Sequence, residues 1–290
     1  MNEDLSEFAP AKINLCLHVT GQRDDGYHLL DTLVAFVDVG DRLWVEDGNG
    51  ISLKVTGPQA AGLAVEQAEG HDNLVLKAAR LLAETVGVDT ASRGVKITLE
   101  KNLPVSSGVG GGSADAAAAL RLLSRQWGVA PSVAAQVAPQ LGADVPMCLV
   151  SQSLRATGIG ETIQPVPLPP LHMVLVNPGV AVSTPEIFGR LHHRDSLPLT
   201  LPDQFSDTDQ VVSFLSATTN DLAHPAIEAQ PVIQNVLDAL SACDGSRLVR
   251  MSGSGATCFA LFSDRGQAVA ASAELADRHP GWWVEAASAI

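Results

Sequence analysis

Apolar and polar positions alternate in two stretches of the first hundred residues. Residues 11–19 alternate strictly, so successive side chains of an extended segment would point to opposite faces. The apolar face carries Ile13, Leu15, Leu17 and Val19. The opposite face carries Lys12, Asn14, Cys16 and His18. Residues 95–100 repeat the pattern, and both stretches are predicted to be strands with one buried face.

A glycine-rich segment separates the second of these strands from a helical pattern. Pro104-Val-Ser-Ser-Gly-Val-Gly-Gly-Gly-Ser113 has four glycines within five residues. Residues 114–127 contain no helix breaker, and Gly128 and Pro131 end the pattern. Glycines let a backbone approach a ligand closely, and the unpaired N–H groups of a first helical turn attract anions. The order strand, glycine loop, helix therefore predicts a phosphate site, with a mobile glycine loop as the alternative.

The rest of the chain mixes strand and helix patterns without strict alternation. Further strands are predicted in residues 29–39, 41–55, 173–177, 247–251, 257–262 and 283–287. Further helices are predicted from Asp72 or Asn73 to about Val86 and in residues 131–141 (with Gly142 as the C-terminal cap), 185–192, 225–241 and 267–277, with loop and a short helix in 195–220. Within residues 41–55, Asp47-Gly-Asn-Gly50 predicts a hairpin between two short strands. This mixture predicts an α+β fold.

The composition changes between residues 150 and 170. Four prolines, at positions 165, 167, 169 and 170, predict a stiff connection there. Because 290 residues suffice for two ordinary domains, we predict one domain over residues 1–155 and a second over residues 156–290.

Composition and charge exclude several classes of protein. With 46% hydrophobic and 17% charged residues, the chain has the composition of a globular protein with a large core. Its formal charge of −14 argues against nonspecific binding of nucleic acid, which needs a basic surface. The four cysteines are widely spaced and predict buried thiols. The acidic N-terminus and the lack of a long apolar run predict a cytoplasmic protein with no membrane partner.

The glycine segment fails two familiar phosphate-binding templates. No Gly-Lys-Ser/Thr occurs in the chain, so the segment is not a P-loop. A dinucleotide fingerprint starting at Gly108 would need glycine or alanine at position 113, which is serine. Two other residues are candidates for chemistry: Lys12 on the polar face of the first strand, and Asp144 in a turn after a predicted helix. Taken singly, each is more simply interpreted as a solvated charge or a turn residue.

Together these segments resemble the GHMP kinase superfamily. Its three motifs are matched in order by Pro10-Ala-Lys-Ile-Asn14, by the glycine segment, and by Met251-Ser-Gly-Ser-Gly-Ala256. Three further segments narrow the resemblance to the branch that acts on a cytidyl acceptor: Asp25-Gly-Tyr-His28, Leu141-Gly-Ala-Asp-Val-Pro146 and Asn220-Asp-Leu222. The match spans residues 9 to about 262.

The resemblance implies ATP-dependent phosphorylation of the 2-hydroxyl of a cytidine-diphosphate methylerythritol, in the non-mevalonate route to isoprenoid precursors. It implies ATP, Mg²⁺ and this acceptor as small-molecule partners, in a monomer or weak homodimer. It also implies a two-domain GHMP kinase architecture, with an N-terminal domain similar to ribosomal-protein-fold modules and a ferredoxin-like C-terminal domain. Catalysis would then lie in the cleft between the domains.

The same resemblance assigns roles to particular residues. Asp144 would be the general base, and Lys12 would polarise the acceptor hydroxyl and keep the aspartate ionised. The ATP phosphates would be bound by Pro104, Ser107, Gly108, Val109, Gly110, Gly111, Gly112 and Ser113. The acceptor would be bound by Asn14, Tyr27, His28, Thr184, Pro185 and Phe188. Among these, Tyr27, His28 and Phe188 would recognise the cytosine by stacking and hydrogen bonding.

Some features depart from the family pattern or stay open. Ser106 and Ser107 stand where glycines or other small residues are more usual, and Asp115 adds negative charge near the expected phosphates. Asp115 either faces away along the helix, which we favour, or helps to hold a metal. His192 and His193 have no partner at ligand spacing and predict surface positions, and no protein ligand set for a metal is predicted.

Two other functions compete with this one. A homoserine, mevalonate-type or sugar kinase of the same superfamily would keep the chemistry and change the acceptor, and Asp25-Gly-Tyr-His28 argues against it. A nonenzymatic nucleotide-binding protein would need neither Lys12 nor Asp144, and the presence of both residues argues against it.

Overall fold

The computed structural model describes residues 5–63 and 73–290. The strands are β1 (Ser6–Gln22), β2 (His28–Gly48), β3 (Ile51–Thr56), β4 (Gly94–Glu100), β5 (Leu154–Gly158), β6 (Thr162–Pro165), β7 (His172–Asn177), β8 (Leu248–Met251), β9 (Cys258–Phe262) and β10 (Trp283–Ser288). The longer helices are α1 (Leu74–Val86), α2 (Gly111–Trp127), α3 (Pro131–Val137), α4 (Val145–Val150), α5 (Thr184–Gly189), α6 (Thr208–Ser216), α7 (Ala223–Ala229), α8 (Val232–Ser241) and α9 (Arg265–Arg278). This composition confirms the predicted α+β class.

The chain forms two compact units that interleave in sequence. Unit 1 comprises Met1–Ala11, Gly40–Val105 and Gly110–Ser151. Unit 2 comprises Lys12–Val39, Ser106–Val109 and Gln152–Ile290. The boundary predicted between residues 155 and 156 divides the chain linearly, whereas β1, β2 and the glycine segment each contribute to both units; that boundary stays a prediction.

The sheet in unit 1 corrects the predicted hairpin at residues 41–55. β4 lies between β3 and β2, parallel to β3 and antiparallel to residues 42–48 of β2, so β2 and β3 are not paired. The turn at Gly50 (φ +73°) instead carries the chain past the start of β4. There the N–H of Val95 donates to the carbonyl of Gly50 at 2.7 Å. A Cβ on Gly94 would lie 2.4 Å from the Gly50 nitrogen, so only glycine allows this crossing.

Helix α2 begins three residues before the predicted start at Ala114. Gly110 adopts a left-handed conformation (φ +67°) as the N-terminal cap. The helix ends at Gly128, as predicted, and Gly128 is also left-handed. The alanines of this helix are buried, and α2 packs against α1. Asn73 caps α1 through its side chain, which accepts a hydrogen bond from the N–H of Val75 at 2.9 Å. Asp72, the alternative start, lies outside the described residues.

Prolines shorten two predicted helices. The helix expected over residues 131–141 ends at Val137 and continues only as a 3₁₀ turn, because Pro139 lacks the N–H that an α-helix would need. Gly142 therefore does not cap it. The helix expected over residues 225–241 is two helices, α7 and α8, which are separated at Gln230 and Pro231 for the same reason.

Unit 2 is built on an antiparallel sheet with the strand order β10-β7-β9-β8. The order of strands and helices along the chain and the interleaved pairing are those of a split βαβ, ferredoxin-like arrangement, as the resemblance implied. Helices α8 and α9 pack on this sheet. Also in unit 2, β5 pairs with residues 30–34 of β2 and with β6.

Candidate functional site

Three distant segments meet through hydrogen bonds inside unit 2. The backbone N–H of Lys12 donates to the carbonyl of Val109 at 3.0 Å. The N–H of Asn14 donates to the hydroxyl of Ser252 at 3.0 Å. That hydroxyl in turn donates to the carbonyl of Gly108 at 3.1 Å. The first strand, the glycine segment and residues 251–256, hereafter the second glycine loop, are therefore joined around Ser252, which is fully buried. All three segments were singled out by sequence.

The close approach of the two glycine loops requires glycine at two positions. Gly108 has a φ of +79° and Gly253 a φ of +54°, in the left-handed region that other residues rarely adopt. A Cβ on Gly253 would lie 2.9 Å from the carbonyl oxygen of Gly108. A Cβ on Gly108 would lie 2.6 Å from the carbonyl oxygen of Ser252. Conformation and space thus exclude side chains at both positions.

Asn220 anchors the second glycine loop. Its Nδ2 donates to the carbonyls of Met251 at 2.7 Å and of Gly253 at 2.8 Å. Its Oδ1 accepts a hydrogen bond from the N–H of Leu222 at 3.0 Å. The sequence had marked the Asn-Asp-Leu segment without giving it a role. In the structure Asn220 is buried and holds the second glycine loop in place through these hydrogen bonds.

Lys12 and Asn14 form a buried polar chain. Lys12 is only 7% exposed, so the interpretation as a solvated strand lysine is wrong. Its Nζ donates to Oδ1 of Asn14 at 2.9 Å. Nδ2 of Asn14 donates to the hydroxyl of Thr32 at 2.8 Å, and that hydroxyl donates to the carbonyl of Cys16 at 2.6 Å. This chain fixes the orientation of the Asn14 amide, with its oxygen toward the ammonium group.

Asp144 belongs to unit 1, where it directly precedes α4. It is half-buried, and its carbonyl accepts a hydrogen bond from the N–H of Cys148 at 3.1 Å in the first turn. The other end of this short helix is held by Arg121 of α2, whose Nη1 donates to the carbonyl of Cys148 at 2.9 Å. The same guanidinium pairs with Glu7 at 2.7 Å. The position of Asp144 is thus set by a helix that is fastened to α2 and to the first strand.

The start of α2 presents backbone donors. The first helical hydrogen bond runs from the N–H of Ala114 to the carbonyl of Gly110, at 2.8 Å. The N–H groups of residues 111–113 precede that bond and lie at the positive end of the helix dipole. Gly111 is buried, Gly112 is exposed and Ser113 is half-buried. Among the other residues expected at the phosphates, Pro104, Ser107 and Val109 are buried.

Asp115, whose role the sequence left open, belongs to a cluster of buried ionisable side chains in unit 1. Nζ of Lys101 lies 2.7 Å from Oδ2 of Asp115 and 2.5 Å from Oδ2 of Asp41. Burial raises the pKa of Asp115 to about 8, an effect that the Lys101 charge opposes and the Asp41 charge reinforces. The carboxyl group therefore pairs with Lys101, a residue that carried no signal in the sequence.

The structure brings together two of the three rings expected to recognise the acceptor. The rings of His28 and Phe188 are stacked, with centroids 4.8 Å apart and an interplanar angle of 23°. Tyr27 is 60% exposed on the turn before β2. The pKa of His28 is lowered, mainly by burial and further by the charge of Arg194. The lowered pKa favours the neutral form of the imidazole.

Other contacts around this turn and around the second glycine loop were not predicted. Nη1 of Arg194 donates to Oε1 of Gln22 at 2.8 Å, and Nε2 of Gln22 donates to the carbonyl of Gly26 at 2.9 Å. Arg194 thereby holds the turn that carries Tyr27, although nothing in its sequence neighbourhood indicated this. The hydroxyls of Thr184 and Ser254 lie 2.8 Å apart, which connects an expected acceptor residue to the second glycine loop. Pro185 follows Thr184 and is exposed.

The described ranges, 5–63 and 73–290, also bear on metal binding and on membrane insertion. In those ranges His, Cys, Asp and Glu side chains do not form a group of three that could hold a metal. His192 and His193 are exposed. None of the helices described is both long enough and apolar enough to span a bilayer.

Comparisons with known proteins support the resemblance. Residues 73–152 match the family described as GHMP kinases N terminal domain, and residues 212–281 match GHMP kinases C terminal. A 4-diphosphocytidyl-2-C-methyl-D-erythritol kinase of Cereibacter sphaeroides is 51% identical over 284 residues, which are 97% of each chain. A kinase of the same name from Ruegeria pomeroyi is 52% identical over 96% of this chain and 97% of its own.

Solved structures lead to the same family. A crystal structure of 4-(cytidine 5'-diphospho)-2C-methyl-D-erythritol kinase covers 98% of this chain and 99% of its own, with a TM-score of 0.79 and 33% identity. A homoserine kinase of Cytophaga hutchinsonii shares the fold, with a TM-score of 0.66 at 18% identity. Because the two family matches cover more than half of the chain and relatives about half identical span nearly all of it, the chain belongs to the GHMP kinase family.

Proposed function

We propose that this protein transfers the γ-phosphoryl group of ATP to the 2-hydroxyl of 4-diphosphocytidyl-2-C-methyl-D-erythritol. The observation that carries the proposal is the identity of about half of all residues, across 96–97% of the chain, with kinases of that name. The meeting of the Lys12, Gly108 and Ser252 segments supports it, because these segments carry the family's three motifs. The reaction belongs to the non-mevalonate route to isoprenoid precursors.

In this proposal the glycine segment binds the ATP phosphates. The dipole of α2 contributes about 0.3–1 kcal/mol per exposed charge and up to about 2 kcal/mol when partly buried, which alone is too little. The N–H donors of residues 111–113 therefore share the work with Mg²⁺, which would neutralise charge on the transferred group when it is bound. The Ser113 hydroxyl at the start of α2 is a protein oxygen that would help to hold the ion, with phosphate oxygens and water as its other ligands. The Asp115 carboxyl pairs with Lys101 instead.

Asp144 and Lys12 perform the proton chemistry in this proposal. The acceptor oxygen attacks the γ-phosphorus, the bond from that phosphorus to the β,γ-bridging oxygen breaks, and ADP leaves. The hydroxyl proton passes to the Asp144 carboxylate. Lys12 contributes a positive charge that favours the developing anion, and burial strengthens its effect because less water screens it. Asn14, which accepts a hydrogen bond from the Lys12 ammonium, keeps that group oriented.

Recognition of the cytidyl end is assigned to the turn before β2 and to α5. Tyr27 offers an exposed ring for stacking, and His28 as a neutral imidazole offers one hydrogen-bond donor and one acceptor. Phe188 holds the His28 ring by stacking. Thr184 and Pro185, at the start of α5, are expected to contact the remainder of the acceptor.

The decisive experiment measures ADP release by the purified full chain with ATP and Mg²⁺. We expect release with 4-diphosphocytidyl-2-C-methyl-D-erythritol and a new phosphate monoester signal on its 2-oxygen by ³¹P NMR. Homoserine, mevalonate and galactose serve as competing acceptors and should give background rates. Faster release with one of these would reassign the acceptor, and no release from folded protein that binds ATP would favour a nonenzymatic nucleotide-binding protein.

A further inference from the structure

Asp41, Lys101 and Asp115 form a cluster of deeply buried ionisable side chains in unit 1. Lys101 is 2% exposed, Asp41 is fully buried and Asp115 is 3% exposed. Removing three ionisable groups from water is unfavourable, and apolar side chains of similar volume would usually serve stability as well or better. The presence of three buried ionisable groups is thus not explained by stability alone. Their location beside the glycine segment suggests a role in that segment.

Each member of the cluster holds a backbone segment next to the glycine-rich region. Oδ1 of Asp41 accepts hydrogen bonds from the N–H groups of Asn102 at 2.5 Å and Leu103 at 2.9 Å. These two residues lead from β4 to Pro104, the first residue of the glycine segment. Asp115 lies in the second turn of α2, so its pairing with Lys101 fastens the start of that helix to the end of β4.

The Lys101 ammonium lies directly against the first turn of α2. A Cβ on Gly111 would be 3.1 Å from Nζ of Lys101, so the absence of a side chain at Gly111 leaves room for the ammonium group. A positive charge at this end of a helix is unfavourable on its own, because the dipole is positive there. The Asp41 carboxylate and the hydrogen bond that Oδ2 of Asp115 accepts from Nζ of Lys101 offset it.

We propose that Asp41, Lys101 and Asp115 are positioning residues, which hold the N–H groups of residues 111–113 in the directions that a nucleotide phosphate requires. The inference rests on the proposed binding of ATP by the glycine segment, and it adds residues that do not touch the nucleotide. An immobile set of donors binds a phosphate more tightly because less ordering is needed on binding.

The protonation state of Asp115 fits this role. Because burial raises its pKa to about 8, the protonated form is favoured at neutral pH, and in that form the cluster holds one positive and one negative charge. A neutral cluster does not repel an incoming phosphate. Burial favours this protonated form most, and the charge and hydrogen bonding of Asp41 favour it further, whereas Lys101 opposes it.

The test compares nucleotide affinity in three variants of the full chain. Asp115→Ala removes the tie between Lys101 and α2, and we expect the Kd for ADP, measured by calorimetry, to rise at least tenfold. Asp115→Asn is neutral and nearly isosteric with the protonated acid, so it should restore the Kd to within about threefold. Leu123→Ala is the control, because Leu123 is fully buried two turns further along the same helix and its truncation lowers stability without touching the first turn.

The outcomes separate a positioning role from a merely structural one. The proposal would be contradicted if Asp115→Ala bound ADP as tightly as the wild type. It would also be contradicted if Asp115→Ala and Leu123→Ala showed a similar fall in Tm and Asp115→Ala lost no more ADP affinity than Leu123→Ala. Wild-type protein that binds no ADP would contradict the proposed function itself. Binding by the wild type together with unchanged binding by Asp115→Ala would contradict only the positioning role.

A second measurement needs only well-folded proteins, should Asp115→Ala fail to fold. Above pH 8 the wild-type cluster acquires a net negative charge, so the Kd for ADP should rise between pH 7 and pH 9.5 by at least threefold more than in Asp115→Asn. Parallel curves for the two proteins would contradict the proposal. Other ionisable side chains lie on the same helix and on the elements that contact it. They are Arg121 and Arg125 of α2, Glu7 of β1, Asp47 of β2, Cys148 of α4, and the exposed Lys77, Arg80 and Glu84 of α1. All of them are shared by both proteins and cancel in the comparison.

Discussion

In the proposed reaction the Asp144 carboxylate accepts the proton of the acceptor hydroxyl. Among the carboxyl groups considered, its replacement should therefore affect turnover most. Asp144→Asn keeps the shape of the side chain and removes the proton acceptor, so we expect kcat to fall by about 10²–10⁴. The Kd for ADP should stay within about twofold, because the change leaves the phosphate donors intact. Steady-state kinetics and calorimetry check both values.

Two further variants are to be compared with Asp144→Asn. Lys12→Met should also lower kcat strongly, since it removes the buried cation that favours the developing anion. Asp277→Asn, an exposed carboxylate on α9, serves as the control and should keep wild-type kinetics. Near-normal turnover by folded Asp144→Asn would remove Asp144 from the role of general base.

Tyr27 offers a test of acceptor recognition that hardly disturbs the fold. Because its side chain is 60% exposed, Tyr27→Ala should leave Tm almost unchanged. Loss of a stacked ring costs about 1–3 kcal/mol per base, so the KM for the cytidyl acceptor should rise about tenfold while the KM for ATP stays constant. Tyr27→Phe keeps the ring and should resemble the wild type. Equal rises in both KM values would argue against stacking.

The raised pKa of Asp115 predicts how the free energy of unfolding depends on pH. Its pKa is 3.8 in the unfolded chain and about 8 in the folded protein, so between these values the folded state binds a proton that the unfolded state releases. The free energy of unfolding contributed by this group therefore decreases as the pH rises through that window. Asp115→Asn lacks the titration, so its stability relative to the wild type should increase from pH 5 to pH 8 and then level off. Urea unfolding at each pH measures the difference; a difference independent of pH would contradict the assignment.

At the scale of elements, the contact between the two glycine loops depends on Gly253. Gly253→Ala combines a left-handed φ with a Cβ 2.9 Å from the Gly108 carbonyl, whereas Gly87→Ala imposes a similar φ of +68° in open space. We expect Gly87→Ala to cost about 1 kcal/mol of unfolding free energy and Gly253→Ala at least about 2–3 kcal/mol, because a steric clash adds to the strain. Urea unfolding compares the two. Equal losses would show that space at Gly253 is not limiting.

Elements whose pattern is local were predictable, and those that depend on distant partners were not. The alternation in residues 95–100 and the capping glycine of α2 correctly predicted β4 and the end of α2. The turn at Asp47–Gly50 was also predicted, but its strands pair with β4 rather than with each other, since pairing is decided by a segment more than 40 residues away. Two helices were predicted too long, although Pro139 and Pro231 were visible in the sequence.

At the scale of the whole molecule, nucleotide binding should stabilise the folded chain. A ligand present at one hundred times its Kd adds about 2.7 kcal/mol to the free energy of unfolding, which for a chain of this size corresponds to a rise in Tm of about 5 °C. We expect MgADP to produce this shift in the wild type and equally in Asp144→Asn. A differential thermal scan with and without MgADP measures it. A wild-type Tm that is insensitive to saturating nucleotide would contradict the proposed function.

The sequence by itself determined the family and the residue types at its motifs. Glycine loops, capping residues and strand alternation are local features, so they can be recognised from neighbouring residues in the chain. Tertiary structure alone decided what those residues contact. It buried Lys12 beside Asn14, joined Gly108 to Ser252, and turned Asp115 toward Lys101. Burial, hydrogen bonding and pKa depend on neighbours that are distant in the chain. The glycine segment could thus be recognised from its own residues, but the charges that support it became visible only once the fold had brought β2, β4 and α2 together.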